Sequence, residues 1–184
     1  MNHNQTISIL KGLIATCNDG EFVFRQGLRR ARSSELAMTF ACLADSCQQG
    51  AHELQRSIVR LGGPVVAGRR ASALLRGLVL NVRRWLAGND DLALLEACRR
   101  VEELALLSYC RALENALPGA VRVLVERQYR GVKLNHIRIR DLFVMHAAIG
   151  PVSYAGAPNV VALRSVEARA GKAVADSLPK RSMA

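Results

Sequence analysis

Four stretches between residues 6 and 143 carry an apolar residue every three or four positions, and that spacing commits the chain to packed helices. In the first stretch, residues 6–30, Ile7, Leu10, Ile14, Cys17, Phe24 and Leu28 share one face once position 21 is counted with them. This is the seam of a helix that faces a bundle core. Position 21 is Glu21, and a carboxylate in an apolar seam is costly unless it is paired or bound. The second stretch opens at Ser33 or Ser34, either a good N-cap, with Glu35 in the first turn. Its seam is Leu36, Phe40, Leu43, Cys47, Gly50 and Leu54, then Leu61, and Gly62-Gly63-Pro64 stops it. The third runs from Asp90 or Asp91 to residue 116, with Leu92, Leu95, Arg99, Glu102, Leu106, Tyr109 and Leu113 in line. The fourth begins after Pro118 and reaches residue 143 or a little beyond. Its seam is Val125, Tyr129, Val132, His136, Ile139 and Phe143.

Half of the chain is apolar but only 4 % is aromatic, so the core must be built from Leu, Val, Ala and Ile. That favours close helix packing over a β-sandwich. Residues 64–90 form a long connection between the second and third helices. Within it, residues 71–86 read as a short extra helix with Leu74, Leu75, Leu78, Val82 and Trp85 on one side. A connection of this length lets the chain return along the bundle, so that the third helix runs parallel to the second. One such crossover is the ferritin-like arrangement. The expected fold is therefore all-α: a ferritin-like antiparallel four-helix bundle over residues 1–148, with a long crossover containing a short helix between helices 2 and 3. Residues 149–184, which follow the end of the bundle near Gly150-Pro151, are expected to be a basic, weakly structured tail.

The net charge is +11, mostly from Arg, and much of it comes in pairs such as Arg29-Arg30 and Arg99-Arg100. A positive balance attracts nucleic acid, anionic lipid and acidic partners without choosing among them. Pairs spread over different helices read as solvated faces. The five cysteines, Cys17, Cys42, Cys47, Cys98 and Cys110, include no C-x-x-C. With no signal-peptide pattern and no apolar run of about 20 residues, a cytoplasmic protein with free thiols and no membrane span is expected.

Several segments resemble a bacterial ferritin-like four-helix-bundle family of unknown function. They are Leu13-Ile14-Ala15-Thr16-Cys17-Asn18-Asp19-Gly20-Glu21, Arg60-Leu61-Gly62-Gly63, Gly88-Asn89-Asp90-Asp91, Leu95-Glu96-Ala97-Cys98 with Glu102-Glu103, Val125-Glu126-Arg127-Gln128, and His136-Ile137-Arg138. The resemblance covers residues 6–142 and rests on the order and spacing of the pieces. It implies the bundle fold and carries no activity. At position 99, where members often have Glu, this chain has Arg99.

A dinuclear site in such a bundle takes one Glu from each of two helices and Glu-x-x-His from each of the other two. The i, i+3 spacing puts both side chains on one helix face, within reach of one ion. Glu21 and Glu102 supply the single carboxylates. On the second helix the corresponding seam positions are Cys47 and Gly50, so both ligands are missing unless the helix is rotated to bring in His52 or Glu53. On the fourth, His136 is present but Lys133 stands three residues before it. Glu21, Glu102 and His136 are thus the candidate metal ligands, with Cys47 or water as a further one. The competing arrangement pairs the carboxylates with Arg99 or Lys133 and hydrogen-bonds His136 to one of them. Tyr109, Tyr129 and the seam cysteines Cys17 and Cys47 read as packing residues.

No phosphate loop, nucleophile elbow or triad spacing is present, and no catalytic residue is assigned. The preferred expectation is a ferritin-like bundle with a degenerate metal site and no cofactor, acting as a structural or interaction protein linked to stress response. One alternative is an oxidase-like protein with a reduced iron or manganese site. The other is a nucleic-acid-associated basic bundle, whose binding would fall steeply with salt. A homo-oligomer paired through outer helix faces fits any of the three.

Overall fold

The computed structural model of the chain describes residues 3–66 and 91–149. They form α1 (His3–Leu28), α2 (Ser34–Arg60), α3 (Asp91–Leu113) and α4 (Gly119–Ile149), with no strand among the described residues. The short helix expected in the crossover and the expected tail both lie outside the described residues.

The helix ends follow from local chemistry. Ser33 is the N-cap of α2, and its hydroxyl accepts the Leu36 N–H at 3.1 Å. At the other end Gly62 takes φ +77°, the left-handed conformation that closes a helix. The Gly62 N–H donates to the Val59 carbonyl (3.0 Å) and the Gly63 N–H to the Ile58 carbonyl (2.9 Å), a complete Schellman pair. Between α3 and α4, the Arg122 guanidinium donates to the Leu113 and Asn115 carbonyls, which α3 itself cannot satisfy.

Two apolar clusters fix the helix directions. One contains Phe24 from the end of α1, Phe40 from the first half of α2, Leu95 from the start of α3, and Ile139 and Leu142 from the second half of α4. The other contains Leu10 from α1, Ile58 from the end of α2, Ala112 from the end of α3, and Val121 and Val125 from the start of α4. Hence α2 and α3 point the same way, and α1 and α4 the opposite way. The Arg32 N–H, just before α2, donates to Asp91 at the start of α3 (3.3 Å). The end of α2 and the start of α3 therefore lie at opposite ends of the bundle, as the ferritin-like helix order requires.

Helices α1 and α2 approach closely because each presents glycine to a thiol of the other. A Cβ on Gly20 would lie 2.8 Å from Cys47 Sγ, and one on Gly50 would lie 3.4 Å from Cys17 Sγ. Gly27 takes the Phe40 ring in the same way, at 3.0 Å. Helix α1 also packs on α3, and α3 on α4, whereas α2 and α4 barely touch.

The buried face of α3 is turned from the expected one. Leu95, Glu102 and Tyr109 are buried, but so are Ala97, Cys98, Val101, Ala105 and Ala112. Arg99 and Leu106 lie at the edge. Helix α3 faces α1 and α4 at once, and its small residues let both come close.

Candidate functional site

Between the two clusters, where α2 and α4 splay, the bundle holds a cavity of about 290 Å³. Its wall takes Cys17 and Gly20 from α1, Cys47 and Gly50 from α2, and Val101, Glu102 and Ala105 from α3. Helix α4 closes it with Gln128, Gly131 and Val132, and the exposed Ser46, Gln49 and Arg127 mark the mouth.

A hydrogen-bonded belt crosses all four helices along this cavity. Cys17 Sγ lies 3.3 Å from the Tyr109 hydroxyl. That hydroxyl donates to Gln128 Oε1 at 2.9 Å. Gln128 Nε2 donates to the Gly50 carbonyl (3.2 Å) and to Glu53 Oε2 (2.9 Å). Arg127 pairs with the same carboxylate oxygen at 2.7 Å. Glu53 and Gln128 lie off the seams that the sequence draws. Glu53 stands beside Leu54, and Gln128 sits three residues after Val125 and four before Val132, a core spacing that its neutral amide disguises.

Glu102 is only 3 % exposed, and its Oε2 has no hydrogen-bond partner among the described residues. Burial pushes its carboxyl up to about 8, so it carries its proton at neutral pH. Burial likewise raises the Cys17 thiol to about 11, against the lowering effect of its Tyr109 hydrogen bond, and lifts Cys47 well above the ordinary thiol range. Neither is a poised thiolate at neutral pH.

The three candidate ligands do not come together. Glu21 is buried but faces a second groove, with His52, Gln48 and Gln55, and it holds Arg25 Nε at 2.9 Å. Glu102 faces the main cavity. His136 lines neither, and its buried Nδ1 lacks a partner among the described residues. The competing pairing also differs from what forms. Arg99 lies along the surface of α3 and binds Glu96 (2.7 Å) and Glu103, not Glu102. Lys133 is exposed and sits over the Tyr129 ring, 5.7 Å from its centroid. His52 is exposed, whereas Glu53 reaches the cavity already engaged by Arg127 and Gln128.

The domain family described as "Domain of unknown function (DUF2383)" matches residues 5–115. The chain belongs to this family. The DUF2383 fold seen here is similar to a dodecameric thioferritin, the bacterioferritin-related protein of Bacteroides fragilis. That match has a TM-score of 0.66 and 13 % identity, covering 85 % of this chain and 94 % of the other. It is also similar to a mutant of Dps1 from Mycobacterium smegmatis, with a TM-score of 0.61, 14 % identity, and coverage of 77 % and 96 %. Both likenesses concern the fold. No curated protein matches the sequence.

A ferritin-like fold implies a dinuclear metal centre in the bundle core. The described side chains of this DUF2383 bundle do not converge to hold one. Among the described residues no three His, Cys, Asp or Glu side chains converge as a metal requires. At the cavity, Glu53 is already bound by Arg127 and Gln128, Cys17 by Tyr109, and neither His52 nor His136 lines the wall. Among the described residues no helix is long and apolar enough to cross a membrane.

Proposed function

We propose that this DUF2383 protein uses the ferritin-like scaffold as a structural or interaction subunit and not as a metal oxidase. The observation that carries this reading is the belt from Cys17 through Tyr109 and Gln128 to Glu53 and Arg127, which runs where carboxylates and histidines would have to converge on metals. Its members are satisfied by one another, and a satisfied polar network rigidifies a core. Helix α4 leaves Leu134, Val144 and Met145 exposed on its outer surface. Together with the likeness to a protein that is itself a dodecamer, these side chains support assembly into a homo-oligomer.

The test is elemental analysis of the purified full chain after anaerobic loading with ferrous iron or manganese, beside a Glu21→Ala, Glu102→Ala double variant, with light scattering on the same samples. The expected result is an oligomer whose metal content equals that of the variant. Stoichiometric iron or manganese in the parent, lost in the variant, would overturn the reading and restore the oxidase alternative.

A further inference from the structure

Helix α4 carries two seams. One is buried and includes Val125, Ile139 and Leu142. The other runs along the outer surface with alternating steps of four and three residues, the heptad spacing of a coiled coil. Val123, Leu134, Ile137, Val144 and Ala148 stand on it, with Arg127, Arg130 and Asp141 between them, and all eight positions are exposed. Among the described residues, α1 and α3 expose one large apolar side chain each, Phe22 and Leu107, and α2 exposes Met38 and Val59. Helix α4 exposes five, with Leu134 at 68 %. Single exposed apolar residues are ordinary on a protein surface, but a row of them at coiled-coil spacing has the form of half an interface.

The charges on the seam select the other half. Arg130 makes no ion pair among the described residues, and Asp141 has only its neighbour Arg140, in a pair exposed on both sides. Arg130 and Asp141 lie about 16 Å apart along α4 and cannot meet within one chain. A second copy of α4 laid antiparallel, with Leu134 opposite Ile137, brings Arg130 of each copy opposite Asp141 of the other. A parallel copy would instead set Arg130 on Arg130 and Asp141 on Asp141, which like charges oppose. The antiparallel register also places Val123 opposite Ala148. It sets Val144 against the stem of Arg127, whose guanidinium is turned to Glu53 at 2.7 Å.

We propose that the outer seam of α4 is a self-docking surface on which two copies of the chain pack antiparallel about a two-fold axis. The axis passes between Leu134 and Ile137, whose side chains form the two central layers. An Arg130–Asp141 pair closes each side of that apolar centre. Such a contact is isologous, each residue meeting its counterpart twice. At the rim, Lys133 of one copy comes near the partner's Arg140, a like-charge contact that salt screens but that works against association.

This inference deepens the homo-oligomer part of the proposed function and rests on it. The full chain and its variants are compared by sedimentation velocity and light scattering over a concentration series, with circular dichroism to check helix content. The parent is expected to associate. Arg130→Asp and Asp141→Arg should each weaken association about tenfold or more, because each sets two like-charge layers across the axis. The double variant Arg130→Asp, Asp141→Arg should restore it, since its charges are complementary again. Leu134→Asp should abolish the contact, and Lys133→Glu should tighten it. An oligomer whose mass is indifferent to these changes would overturn the α4 seam and leave the homo-oligomer reading standing. Weakening by both single reversals without rescue in the double would overturn the two-fold pairing. A monomeric parent would overturn both the seam and the homo-oligomer reading, and a lower melting temperature of Leu134→Asp in that monomer would assign the seam to another part of the same chain.

Discussion

Burial without a partner makes the Glu102 carboxyl hold its proton up to about pH 8 in the folded chain, against an ordinary value of 4.5. Between those limits the folded state binds a proton that the unfolded state has released, so stability falls as pH rises through the window and levels off above it. Every tenfold difference in proton affinity between the two states is worth about 1.4 kcal/mol. Glu102→Gln removes the titration. The variant should therefore gain on the parent steadily from pH 4.5 to pH 8, read as the difference in melting temperature across a pH series. A constant difference would mean that the carboxyl is not the titrating group. The sequence made Glu102 and Glu21 visible, because a carboxylate on a 3,4-spaced apolar seam is conspicuous. It did not separate their fates. Glu21 is matched by Arg25 one turn later on its own helix, and that pair is no more evident in the sequence than the Arg99–Glu102 pair that does not form.

Element boundaries were legible wherever a backbone group demands a particular residue. Ser33 and Gly62 each do one such job at the two ends of α2. Ser33→Ala should cost about 1 kcal/mol through the lost cap. Gly62→Ala should cost about 1–2 kcal/mol through its left-handed backbone. Urea unfolding of each variant checks both figures, and a neutral Gly62→Ala would contradict the Schellman closure. Helix faces were less legible than helix ends. On α3 the larger residues Leu92, Leu106 and Leu113 drew the expected seam, yet they are only partly buried, and Ala97, Ala105 and Ala112 lie deeper. Alanines carry little hydrophobic signal, but they let a neighbouring helix approach. That rotation moves Arg99 out of the core and leaves Glu102 without the partner its seam position suggested.

At the scale of the whole molecule, the bundle is two apolar cores separated by a polar belt and a cavity. Leu95 belongs to one core and Ile58 to the other, and both are fully buried. Leu95→Ala and Ile58→Ala should each cost about 2–5 kcal/mol. The double variant should lose their sum to within about 0.5 kcal/mol, because the sites share no neighbours. Chemical unfolding of the two single variants and the double tests this, and a large coupling would show that the belt transmits strain between the halves. The global arrangement was legible because four seams and one long connection allow few topologies. The cavity was not, since it arises from the poor contact between α2 and α4, which no single helix reveals. One local feature also bears on how such a chain changes over generations. Cys17 rests on Gly50 and Cys47 on Gly20, as two interlocked pairs across the same helix contact. A Cβ at Gly20 would crowd the Cys47 sulfur, whereas one at Gly50 would only touch the Cys17 sulfur, and a glycine at either cysteine opens a hole. Lineages that enlarge Gly20 are thereby driven to alter Cys47, so descent should carry those two positions as one linked character, while Gly50 and Cys17 are freer to change apart.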